Sequence, residues 1–137
     1  MNDKPQFVAI KVEKGEIAIH AKYTVYYDEI KEEGHRISCA IPAFDVYFSV
    51  DDHNKIPEKS RKIISMYMDH FMIHGKNKLK DFVLQIHKLG FVAPKDSFVI
   101  KSLLDKHDIN AKFRSQKLVD ESLLESKTIE AETEFAF

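Results

Sequence analysis

The chain has 137 residues, enough for one domain with a real core and too few for two comfortable ones. Hydrophobic residues make up 44% and charged residues 31%, and the formal net charge of -1 gives no overall pull toward nucleic acid or an anionic membrane. The single cysteine, Cys39, excludes an internal disulfide framework and fits a reducing compartment.

No apolar run approaches the length needed to span a bilayer. Met1 to Gln6 is polar, and the FVAIKV run that follows is short and interrupted by Lys11, which is not the pattern of a signal peptide. The expectation is a cytoplasmic chain with no membrane partner, folded as one domain over 1–137.

In chain order, FVAIKVEKGEIAIHA (7–21) predicts a hairpin. Apolar residues alternate on both sides of Gly15, which can take the positive φ of a tight turn. KYTVYY (22–27) then predicts a further strand, with Tyr23, Val25 and Tyr27 on one face, and the polar span 28–35 predicts a loop. Ile37, Cys39 and Ile41 share one face of the next strand. Pro42 cannot donate to a ladder, so pairing should pause there or the residue should sit at an edge or bulge. VYFSV, from Val46, predicts another short strand.

Asp51 to Lys55 is polar punctuation before a helix, and Pro57 suits a first helical turn. From Glu58 to His74, Ile63, Ile64, Tyr67, Met68, Phe71 and Met72 recur at three- and four-residue steps, one wide apolar stripe. A second helix is predicted over 76–90, carried by Leu79, Phe82, Val83, Ile86 and Leu89, with Gly90 at the left-handed C-terminal position. Beyond it, a C-terminal extension covers 91–137. Ser97 to Leu104, which holds FVIKSLL, reads as a strand or a short helix, and helix is favoured because the segment leads into Lys106 without alternation; VDESLLES (119–126) predicts a brief helix, and TIEAETEFAF (128–137) a terminal strand. There Ile129, Ala131, Thr133 and Phe135 alternate with Glu130, Glu132 and Glu134. The fold class expected is α+β: an antiparallel sheet of four to six strands with two main helices on one face.

One stretch carries a family resemblance. Residues 22–75, including KYTVYYDEIKEEGHRISCAIPAFDVYFSVDDHNKIPEKSRKIISMYMDHF, resemble the HicB family of type II antitoxins. The strand-Pro step falls on Ala40-Ile41-Pro42-Ala43-Phe44, the small polar turn on Asp51-Asp52 and Asn54, and the small helix position facing the sheet on Ser60. The resemblance, confined to a core of 22–75 within a sheet and first helix expected over 7–75, implies a truncated ribonuclease H-like fold and a non-enzymatic protein that binds and inhibits a small basic mRNA-cleaving toxin. It also implies a homo-oligomer. On this reading the Pro42 break lets Phe44 and Asp45 face the partner.

The residues themselves favour binding over chemistry. Ribonuclease H activity needs carboxylates converging on divalent cations. Asp28, Asp45, Asp51 and Asp52 sit near strand ends, none at a strand centre, so solvated turn acids are the reading and no catalytic residue is expected. His70 and His74 are four apart on one helix, but Phe71 stands where a metalloprotease carries Glu and no third ligand is evident, so neither metal nor cofactor is expected. Cys39 reads as a small buried strand residue. No phosphate-cradling glycine motif exists.

Glu130, Glu132 and Glu134 on one face of a terminal strand would meet solvent or a basic partner. Strand addition at a sheet edge is a recurring recognition mode. The strand is expected to pair with a second copy, with the partner, or within its own sheet. An alternative function is RNA binding through Tyr26 on the sheet and the cluster Lys76, Lys78 and Lys80. A third is an oligomeric relative with no toxin.

Overall fold

A computed structural model describes residues 6–30, 36–73, 78–104, 108–117 and 125–136. The elements run β1 (Phe7–Glu13), β2 (Glu16–Ile30), β3 (Arg36–Ile41), β4 (Val46–Val50), α1 (Ile56–Met72), α2 (Lys78–Lys88), β5 (Phe91–Val92), α3 (Asp96–Leu104), β6 (Ile109–Ser115) and β7 (Glu125–Ala136). The class is α+β as expected, and among the described residues seven antiparallel strands form one sheet, more than the four to six expected.

β2 organises the sheet. It is a single strand of 15 residues, where the sequence suggested two. One of its sides carries β7 from Glu16 to Tyr27. The other side carries β1 against Glu16–Lys22 and then β3 against Tyr26–Ile30. A residue in a ladder has only two neighbours, so β1 and β3 lie end to end along the same side. From this fork one branch continues β1–β6–β5 and the other β3–β4. The gap between the branches leaves the Thr24 N–H without a strand partner, and Gln6 fills it. Its side-chain Oε1 accepts from Thr24 at 3.0 Å, while its backbone carbonyl accepts from Ser115 N at 2.9 Å. A buried backbone donor demands such a substitute.

Three turns follow from residue type. Lys14 and Gly15 both have positive φ, as the two-residue turn joining β1 and β2 requires. Pro42 opens a 3-10 turn over Pro42–Phe44. Asp45 closes it with φ 55, its N–H donating to Pro42 O at 3.2 Å, and the chain returns as β4. Asp is among the few side chains that accept that region without glycine's freedom. Gly90, at φ 100, ends α2 as the sequence predicts.

α1 lies on the inner face of the sheet. Ile56, Ser60, Ile64, Met68 and Met72 are its buried positions, spaced by four, with Tyr67 and Phe71 packed at the margin. Ser60 is fully buried over the middle of β2. It donates to Pro57 O at 2.9 Å and shares a 3.2 Å hydrogen bond with the Tyr23 hydroxyl. Lys59 and Arg61, on either side of it in sequence, point about 100° away in opposite senses. Lys59 Nζ donates to Ser49 O on β4 at 2.7 Å, and Arg61 Nε donates to Glu130 O on β7 at 2.9 Å. The helix thus ties down two outer strands at once.

The core is one contiguous cluster. It takes Val8, Ile10 and Val12 from β1, Ile17 to Val25 at alternate positions from β2, Ile37, Cys39 and Ile41 from β3, and Ile129 and Ala131 from β7. Leu79, Phe82, Val83 and Ile86 bring α2 into the same cluster.

Two expectations change. The loop expected from Asp28 starts later, because Asp28 pairs with Ser38 and the ladder continues to Ile30. The brief helix expected over 119–126 lies outside the described residues, except that Glu125 and Ser126 open β7 as strand.

Candidate functional site

β7 is the first candidate surface. It pairs with β2 in its own chain over its whole length. Its inner residues Ile129 and Ala131 are buried, while Glu130, Glu132 and Glu134 are exposed on the outer face. In register, Glu130 stands opposite Lys22, Glu132 opposite His20 and Glu134 opposite Ala18. His20 Nε2 lies 3.6 Å from Glu130 Oε1. Among the described residues no cation pairs with Glu132 or Glu134. Backbone groups alternate sides along a strand. Since the Glu130 carbonyl points outward to Arg61, those of Glu132 and Glu134 point outward too, along the free edge.

The β3–β4 corner corrects one expectation. Phe44 does not face outward. It is 2% exposed, with ring centroids 6.0 Å from Tyr23, 5.9 Å from Tyr67 and 5.2 Å from Phe91. The 3-10 turn that follows Pro42 folds this ring inward, where four aromatic rings fill one volume. Asp45 is exposed at the tip and is separated from the glutamate row by β2.

The tyrosine and lysine set expected to touch RNA is not brought together. Tyr26 is 3% exposed, which withdraws its ring from any base. Lys76 lies outside the described residues, Lys78 opens α2, and Lys80 is exposed on that helix.

A different basic site stands where the start of α1 meets the ends of β3 and β4. A groove of about 590 Å³ is lined by Arg36, Lys55, Lys59 and Lys62, with Asp51 and Glu58 as its only carboxylates among the described residues. Lys55 Nζ and Asp51 Oδ1 pair at 2.7 Å. That hydrogen bond, and then the charge, holds the Asp51 carboxyl below its usual range and raises the Lys55 ammonium. Lys59 is fixed by Ser49 O, whereas Arg36 and Lys62 have no partner among the described residues. The sequence carried part of this signal: Lys55, Lys59 and Lys62 recur at four- and three-residue steps, the spacing of one helix face. Arg36 joins them only through the register of β3 on β4.

Two other reactive side chains, Cys39 and Tyr23, are buried. Cys39 is 4% exposed, and burial pushes its thiol up, with Lys59 opposing weakly. Burial likewise raises the Tyr23 phenol, partly offset by the Ser60 bond and then by Arg61. Among the described residues no three His, Cys, Asp or Glu side chains converge as a metal site would need. His70 is exposed and His74 lies outside the described residues. No helix among those residues is long and apolar enough to cross a membrane.

No family model, no curated protein and no solved structure matches the chain.

Proposed function

We propose that this chain is a protein-binding module that docks a basic protein on the acidic rim of β7, in the manner of an antitoxin holding a small RNA-cleaving toxin. The single observation that carries the reading is the row Glu130, Glu132 and Glu134, exposed along an outer strand whose last two acids have no cation among the described residues. A protein that handles RNA must itself hold a polyanion, so its surface is the complement of this row. The order β2–β3–β4–α1, with the helix over the strands, supports the HicB-like, truncated ribonuclease H-like reading of residues 22–75.

Charge also chooses between occupants of this edge. If β7 paired with β7 of a second copy, keeping buried faces together would set glutamate beside glutamate, and like charges across a ladder are destabilising. A basic partner meets no such penalty. Any homo-oligomer would therefore use another surface.

The test is capture from the native host with the tagged chain, followed by measurement of affinity for whatever is retained. A small basic ribonuclease should be held and inhibited. Glu132→Lys with Glu134→Lys should weaken that binding at least tenfold at low salt while leaving the melting temperature unchanged. An acidic partner, or a basic one held equally by the double variant, would overturn the proposal.

A further inference from the structure

The groove between α1 and the β3–β4 ends is a second binding surface, opposite in sign to β7. We infer that it takes the phosphodiester backbone of a single-stranded nucleic acid, with Tyr47 beside it as a base-stacking platform. Among the described residues four cations face two carboxylates, and one of those carboxylates is already bound to Lys55. The surplus is local, since the whole chain is near neutral. Arg36 and Lys62 are the two cations with no protein partner among the described residues, so they are available to phosphate without breaking an existing bond. The mouth is open and shallow, which suits a strand passing through.

Tyr47 supplies the independent observation. It is 72% exposed, the largest exposure among the apolar side chains of the described residues, and costs burial that a polar residue would not. It alternates with Val46 and Phe48, so it shares the outer face of β4 with Ser49, which lines the groove about 7 Å further along the strand. Its sheet neighbours are small: Ala40 stands directly opposite and Ser38 opposite Ser49. The ring face is therefore uncovered. Cations tracking the backbone beside an aromatic that stacks bases is the recurring arrangement for single strands. A free phosphate would use the cations and ignore the ring.

The test uses the full chain and a fluorescently labelled RNA of about 10 nucleotides, within the span a small single-strand site covers. Anisotropy should report binding that weakens with salt. Arg36→Ser with Lys62→Ser should lower the salt slope by about 1.4, two contacts at about 0.7 each on a single strand. Tyr47→Ala should weaken binding at least fivefold, with the slope unchanged. Glu132→Lys with Glu134→Lys, which probes the protein-binding reading, should leave neither property weaker, so the two ideas fail separately. No binding, or binding indifferent to the groove variants, overturns the inference. So does an unaffected Tyr47→Ala protein whose complex inorganic phosphate displaces at equal phosphate concentration, because the ligand is then a free anion. All three variants alter exposed side chains, and an unchanged far-ultraviolet circular dichroism spectrum establishes that each is folded.

Discussion

β4 and β7 are both outer strands beside α1, and each has an outward carbonyl taken by a cation of that helix, Ser49 by Lys59 and Glu130 by Arg61. The backbone problem they share is an open ladder edge, and the helix solves it twice within one turn, through the residues on either side of Ser60. Their side chains differ completely. The β4 end is ringed by Arg36, Lys55, Lys59 and Lys62, and the β7 rim by glutamates. Edge closure is thus independent of rim charge, so one scaffold can display two surfaces of opposite sign without altering its core.

The comparison breaks most severely if the corner leading into β4 is a detachable contact loop. Phe44→Ala tests that. With the ring buried against Tyr23, Tyr67 and Phe91, truncation should cost about 3–5 kcal/mol, the range for a buried phenyl ring, read from chemical denaturation. Asp45→Gly, one residue on, should change stability little, because its left-handed φ of 55 suits glycine. Equal and small effects at both positions would detach the corner from the core.

The Ser60–Tyr23 bond is the hinge of the symmetry, since it sets which way Lys59 and Arg61 diverge. Ser60→Ala should cost about 1–3 kcal/mol by leaving the buried Tyr23 hydroxyl unpaired, and Tyr23→Phe about 0.5–1.5 kcal/mol, because Ser60 keeps its bond to Pro57 O. The double variant should cost less than their sum. The same tyrosine predicts a pH effect. Its phenol is raised in the folded protein by burial, so the stability it confers is complete below the unfolded value and is lost as pH rises through the folded one. Stability should fall on the alkaline side, less steeply in Tyr23→Phe. Tyr27 and Tyr67, also raised by burial, retain part of the slope.

Local pattern made much of this legible. The Gly15 turn, the α1 stripe, the left-handed Gly90 and the alternation of β7 all follow from residue spacing, whereas Ser97 to Leu104 reads as strand or helix and only its lack of alternation favours the helix found there. Long-range pairing was not legible. Nothing near Phe44 reveals that Phe91, 47 positions on, waits to receive its ring, so a Pro break read as an exposed corner. Tyr26 alternates away from the inner face and yet is buried, which no single-strand pattern can state. β6 is not among the strands expected from the sequence, although Ile109, Ala111 and Phe113 alternate with Asn110, Lys112 and Arg114, and its placement between β1 and β5 is a matter of topology. The basic groove needed both a helix face and a strand register to assemble.

The smallest expected effect sharpens the contrast furthest. Arg61→Met and Lys59→Met each remove one hydrogen bond to a carbonyl near solvent, so each should cost about 0.5–1.5 kcal/mol. Their consequences for association should differ. Freeing the β7 edge exposes a strand whose own glutamates repel a second copy, so Arg61→Met should stay the same size across concentration. Freeing the β4 edge exposes Val46, Tyr47 and Phe48, a short apolar strand with no charge of its own, and such edges invite pairing. Lys59→Met should therefore self-associate as concentration rises, seen as a concentration-dependent sedimentation coefficient. If both variants associate, or neither does, rim charge is not what separates the two edges, and α1 protects them by bulk alone.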